Sequence, residues 1–187
     1  MKIGIIGSDD RAVAIGRLLS EGGHEVEFGH PRDPEAAEEA ANKAGADADI
    51  PYKLASTTEI LMFTVPSDEM DQAITAIGAL GSTVGAIIEA GDSRPTEGNL
   101  CDAECLAKKL DSHKVVRALI VLPQAGANIP ICGDDPDAKM LVEQAFAACN
   151  CVVTDRGPLS NAAELYPPPR TSEQGTIQSG TPAGLET

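Results

Sequence analysis

Short runs of Ile, Val and Leu recur along this chain, separated by segments whose apolar residues return at helical spacing. That alternation constrains the fold more than any other feature. The run at residues 2–6 is β-rich and ends at Gly7, after which residues 11–21 place Val13, Ile15, Leu18 and Leu19 on a helical face before a stop at Gly22-Gly23. Residues 24–28 alternate polar and apolar, as a second strand would. Pro34 opens an alanine-rich helix that ends near Gly45, with Glu in its first turns. Further strands are expected at 59–65, 84–90, 114–122, 129–132 and 151–154. Helices are expected from Ser67 to about Leu80, over 95–110 and over 136–149, the last with Asp135 as N-cap and Met140, Leu141 and Phe146 facing inward. Strands separated by helices predict right-handed βαβ units, and hence an α/β, Rossmann-like, doubly wound and mostly parallel sheet with helices on both faces.

Composition fits this architecture. There is no Trp, and Phe28, Phe63, Phe146, Tyr52 and Tyr166 are the only aromatic residues, so the core must be aliphatic, as in parallel strands covered by alanine-rich helices. The 187 residues form about one domain, expected over 1–166. From Pro167 the chain turns to Pro, Gly, Ser, Thr and Gln, and 167–187 is expected to be a flexible tail that cannot bury enough surface to offset its ordering entropy. Fourteen bases against 29 acids give a net charge of −15, which argues against nucleic acid as a partner and makes any phosphorylated ligand depend on local dipoles or local Arg. No apolar stretch approaches the ~18 residues of a membrane span, and the start lacks the apolar run of a signal peptide. Five cysteines in no regular framework read as reduced thiols, so a soluble cytoplasmic protein is expected.

Ligands of doubly wound sheets bind at the carboxyl ends of the strands, near the point where strand order reverses. The first such turn here is Gly7-Ser8-Asp9-Asp10-Arg11-Ala12. A dinucleotide turn wants Gly at its first, third and sixth places; Gly7 fits, Ala12 substitutes for the last, and Asp9 stands where the middle glycine should be. A carboxylate there would crowd and repel a pyrophosphate, with the helix N-terminus and Arg11 to compensate. The motif alone leaves dinucleotide binding and a Rossmann-like shell that has lost it equally open. The second strand runs into Phe28-Gly29-His30-Pro31-Arg32 with no acid at its tip to bind a ribose 2′-hydroxyl. Arg32, helped by His30, suits a 2′-phosphate instead, since a guanidinium matches phosphate geometry in a bidentate way. The alternative is a solvated loop arginine paired with Asp33 or Glu35.

With these residues in view, the chain resembles the NADP oxidoreductases that depend on the deazaflavin coenzyme F420, as a divergent member. The opening strand and turn, Thr64-Val65-Pro66, the stretch from Ile129 to Asp135 and the stretch Asp155-Arg156-Gly157-Pro158-Leu159-Ser160-Asn161-Ala162 carry the resemblance, which extends over 1–166. It implies a Rossmann domain that binds NADP and passes hydride to or from a deazaflavin or flavin-type acceptor. Gly7, Ser8, Asp10 and Arg11 would then form the phosphate turn, Arg32 would meet the 2′-phosphate, and Thr64, Val65 and Pro66 would line the nicotinamide side. Three departures accompany it. Asp9 replaces a glycine, Ile120 and Val121 stand where the family usually has polar residues, and Pro167-Pro168-Pro169 cuts short the terminal helix. The resemblance leaves a homodimer open.

Hydride transfer between cofactors needs positioning more than an acid–base residue, so no catalytic side chain is named. A binding or regulatory Rossmann protein without turnover is the runner-up, and a purely structural domain the third reading. No metal site is expected. Cys101/Cys105 and Cys149/Cys151 lack matching pairs and a nearby His, and Asp134, Asp135 and Asp137 read as an acidic helix start.

Overall fold

The computed structural model describes residues 1–92 and 102–166. The start of the helix expected from 95 and the expected tail at 167–187 fall outside the described residues. One eight-stranded sheet organises the chain, in the order β3-β2-β1-β4-β5-β6-β7-β8. Its strands are β1 (Lys2–Ile6), β2 (Glu25–Gly29), β3 (Asp47–Ala48), β4 (Ile60–Phe63), β5 (Ala86–Glu89), β6 (Val115–Ala118), β7 (Asn128–Gly133) and β8 (Val152–Asp155). Every neighbouring pair is parallel except β6 and β7. The chain winds outward from β1 in one direction through β2 and β3, then returns to β4 on the other side. The strand order therefore reverses between β1 and β4, and their carboxyl ends open a crevice there.

Two apolar cores flank the sheet. The helices α1 (Asp10–Glu21), α2 (Pro34–Ala44) and α6 (Pro136–Ala148) cover one face. On the other lie α3 (Pro51–Thr57), α4 (Met70–Ile77), α5 (Asp102–Lys109) and a 3-10 helix, Leu159–Leu165. α2 buries an all-alanine face of Ala37, Ala40, Ala41 and Ala44, with Asp33 accepting from the Ala36 amide at its start and Gly45 left-handed at its end.

Several local features differ from the sequence expectation. The strand expected over 114–122 stops at Ala118, because its antiparallel partner presents Pro130 next; Leu119 donates to the Pro130 carbonyl, but proline has no N–H to return. Met140 faces solvent at 51 % exposure, not the core. α6 buries Ala138, Val142, Ala145 and Phe146, an i, i+4, i+7, i+8 stripe with which Met140 is out of phase. The short β3 and α3 had no expected counterpart. No helix among the described residues is long and apolar enough to cross a membrane.

Candidate functional site

The turn after β1 is fixed by its glycine. Gly7 has φ +135°, a region L side chains rarely adopt, and a Cβ there would run into the Thr64 hydroxyl. Thr64 cannot retreat: its amide and its Oγ1 both donate to the Ile6 carbonyl, at 3.0 and 3.2 Å. The Gly7 amide donates to the Gly29 carbonyl at 2.9 Å, which ties the ends of β1 and β2 together. Gly7, Ser8, Asp9, Asp10 and Thr64 thus share the mouth of the β1/β4 crevice. Val65 is buried beside Thr64, and Pro66 is exposed.

Asp9 is the N-cap of α1. Its backbone is extended (φ −68°, ψ 169°), and its carboxylate accepts from the Ala12 amide at 2.7 Å. The side chain therefore serves its own helix as the resident anion, at the place where that dipole would otherwise favour a ligand's phosphate. Ala12 is fully buried, as the last small position of the turn requires.

Arg11 turns away from the phosphate turn. Its Nη2 donates to the Ala90 carbonyl just beyond β5, and its buried Nε has no hydrogen-bond partner among the described residues. Burial pulls its pKa down, partly offset by the charges of Asp9, Asp92 and Glu89 and reinforced by Arg117.

On the β2 side, the His30 Nδ1 accepts from the amides of Arg32 and Asp33, at 3.3 and 3.0 Å, and so fixes the loop that carries Arg32. The Arg32 guanidinium pairs with neither Asp33 nor Glu35. It meets Glu69 at 3.0 Å across the crevice, and Asp33 is occupied in capping α2. Beside this pair, Pro31, Arg32, Asp71, Gln72, Thr75 and Ala76 line a shallow cleft of about 370 Å³.

A buried polar cluster at the ends of β5 and β6 escaped sequence reasoning. Arg117 and Glu89 are both 0 % exposed and form an ion pair at 2.7 Å. Glu89 also accepts from the Tyr166 hydroxyl at 3.0 Å and the Gly91 amide at 2.7 Å. Arg117 donates to the Gly91 carbonyl at 2.7 Å and to the Leu165 carbonyl at 3.1 Å, and its guanidinium lies 3.9 Å from the centre of the Tyr166 ring. The signal was present: Ile87-Ile88-Glu89 and Val115-Val116-Arg117 each carry one charge in an apolar run, and the register pairs Glu89 with Arg117. The network ties the 3-10 helix to the end of β5 and shapes the wall beside Arg11.

Where the family resemblance anticipates polar residues, Ile120 is buried and Val121 is 67 % exposed. The acidic run before α6 is used internally, with Asp135 capping α6 through the Ala138 amide and Asp134 accepting from the Leu159 amide. Cys149 and Cys151 donate to backbone carbonyls, and burial raises the Cys149 pKa to about 11, so it is not a poised nucleophile.

Residues 2–88 match the family described as NADP oxidoreductase, coenzyme F420-dependent, and this segment runs from β1 into β5 and includes all ten candidate residues. Among solved structures, a protein from Arthrobacter sp. FB24 provisionally described as an F420-dependent NADP-reductase is 19 % identical, with a TM-score of 0.69 over 88 % of both chains. A hypothetical protein of Sinorhizobium meliloti is 16 % identical, with a TM-score of 0.73 over 87 % of this chain and 88 % of its own. The imine reductase of Streptomyces aurantiacus is 16 % identical, with a TM-score of 0.70 over 89 % of this chain but only 59 % of its own. At these identities the structures establish a shared Rossmann-like fold.

Proposed function

From the resemblance of residues 2–88 to the coenzyme F420-dependent NADP oxidoreductases, we propose that this protein binds NADP(H) across the β1/β4 crevice and passes hydride between it and a deazaflavin or flavin-type acceptor. The observation that carries this reading is the Gly7 turn. A positive-φ glycine over Thr64 delivers the chain from β1 into the N-terminus of α1 at the switch point, the geometry a pyrophosphate site requires. In this reading Ser8 and Asp10 flank the pyrophosphate, and Arg11 backs the turn from the β5 side. Arg32, on a loop fixed by His30, meets the 2′-phosphate, and Thr64, Val65 and Pro66 lie along the nicotinamide side. NADP(H) would supply the hydride, and the chain would supply binding and orientation. Asp9 works against the phosphate, and its cap on α1 favours a second reading, a dinucleotide-binding protein without turnover.

Titration with NADPH and NADH, followed by calorimetry, tests both. Binding of NADPH with reduction of coenzyme F420 or a flavin is the expected outcome. Failure of both nucleotides at millimolar concentration overturns the proposal, and NADPH binding without reduction of either acceptor favours the second reading. Arg32→Ala is expected to lower the preference for NADPH over NADH; an unchanged ratio removes Arg32 from the 2′-phosphate.

A further inference from the structure

We propose that Glu69 is a specificity-determining residue, a built-in competitor that holds Arg32 until a 2′-phosphate displaces it and that itself accepts from the ribose 2′-hydroxyl of the unphosphorylated cofactor. The inference rests on the NADP(H) reading above and deepens it.

Three observations converge on Glu69. Its carboxylate lies 3.0 Å from the Arg32 guanidinium, joining the loop after β2 to the start of α4 across the crevice. Glu69 stands at the N-cap position of α4 yet makes no side-chain cap bond, so its carboxylate is committed to Arg32 and not to its own helix. Two other carboxylates near Arg32 are engaged elsewhere: Asp33 caps α2, and Asp71 pairs with Lys109.

The charges and exposure define what such a pair does. Arg32 is 56 % exposed and Glu69 30 %, a setting in which ion pairs are weak and readily exchanged. A 2′-phosphate offers a guanidinium a bidentate, doubly charged partner and outcompetes a single carboxylate. With that phosphate bound, Glu69 is left beside like charge and lowers the affinity for NADPH. Toward NADH the same carboxylate works in the opposite sense. NAD-selective Rossmann proteins place an acid at the end of β2 to accept from the ribose hydroxyl. Here β2 ends in Gly29 with no acid at its tip, and Glu69 supplies a carboxylate from the opposite wall. The preference between the two cofactors is therefore set by the balance of Arg32 and Glu69.

The test is Glu69→Gln, which keeps the size and removes the charge, titrated with NADPH and NADH beside the wild type and Arg32→Ala. The NADPH-to-NADH affinity ratio is expected to rise about tenfold at low salt, with the gain shrinking in 0.5 M salt as screening takes over. The melting temperature is expected to stay put, which separates specificity from a structural role. A ratio within twofold of wild type overturns the proposal for Glu69. If Arg32→Ala shifts the ratio in the same experiment, the NADP(H) reading survives that failure. Absence of binding of either nucleotide to all three proteins overturns the NADP(H) reading and the Glu69 proposal together.

Discussion

Asp9 offers the most direct route into the site, because its carboxylate has two roles that different substitutions separate. It caps α1 through the Ala12 amide at 2.7 Å, and it places a negative charge at the N-terminus that a pyrophosphate would need. Asn caps a helix about as well as Asp, and Gly costs only a few tenths of a kcal/mol relative to good caps, so neither Asp9→Asn nor Asp9→Gly is expected to cost more than about 0.5 kcal/mol of folding stability. The charge acts on ligand binding. A carboxylate about 5 Å from one phosphate charge is repelled by roughly 0.8 kcal/mol at the dielectric of water, and by more where protein displaces water. Asp9 is exposed, so the lower end applies, and two pyrophosphate charges bring the total to about 1–2 kcal/mol.

Both variants are therefore expected to bind NADPH some 5- to 30-fold more tightly than wild type in calorimetric titrations at low salt. Asp9→Gly should gain further, because it also lets the backbone approach the phosphate. The gain should fall as salt rises. Affinities within twofold of wild type for both variants would refute the reasoning, since the pyrophosphate could not then lie at the N-terminus of α1. Tightening by Gly but not by Asn would assign the whole effect to crowding and none to charge.

Two other expectations follow from buried groups. Arg117→Met leaves the Glu89 charge buried and uncompensated, and is expected to cost about 3–5 kcal/mol in denaturant unfolding, whereas Arg117→Met combined with Glu89→Met should recover much of that loss; equal costs would count against a coupled pair. Cys149, whose pKa burial raises from 9.0 to about 11, keeps its proton longer in the folded state than in the unfolded one, so its contribution is intact below pH 9 and is lost as pH rises toward 11. Cys149→Ala should flatten that alkaline loss of stability, and Cys149 should resist maleimide at pH 8 in the native protein; rapid labelling there would contradict its burial.

Much of the fold was legible because its signals are local. The β-rich run before Gly7, the Gly22-Gly23 stop and the Pro34 start each act within a few residues, and the corresponding elements stand where those signals fall. The misreadings come from partners distant in sequence. Nothing within residues 114–122 says that the strand must end at Ala118; the reason is Pro130, met only across the antiparallel pair. Met140 lies in an apolar helix, and only the packing of Ala138, Val142, Ala145 and Phe146 decides that it faces out. The site divides in the same way. Gly7 could be read from its place after a strand, whereas the pairing of Arg32 with Glu69 bridges 37 positions, and that of Glu89 with Arg117 bridges 28.

Those distant pairings also change what the net charge of −15 means for a phosphorylated ligand. Uniform repulsion would be screened within about 10 Å at ordinary salt, and could not by itself decide binding in one crevice. What would decide it is the occupancy of the few positive groups around the turn. The α1 N-terminus holds Asp9, Arg32 holds Glu69, and Arg11 donates to the Ala90 carbonyl. Two of these three groups face a carboxylate of the chain itself, so under the proposed NADP(H) reading a dinucleotide would enter by exchange, its phosphates competing with internal anions instead of filling vacant positive sites. Each exchange replaces one charge-assisted hydrogen bond by another, so the net gain per phosphate is small and sensitive to a single side chain. On that reading cofactor affinity and cofactor choice turn on Asp9 and Glu69, the two carboxylates that a phosphate would have to meet.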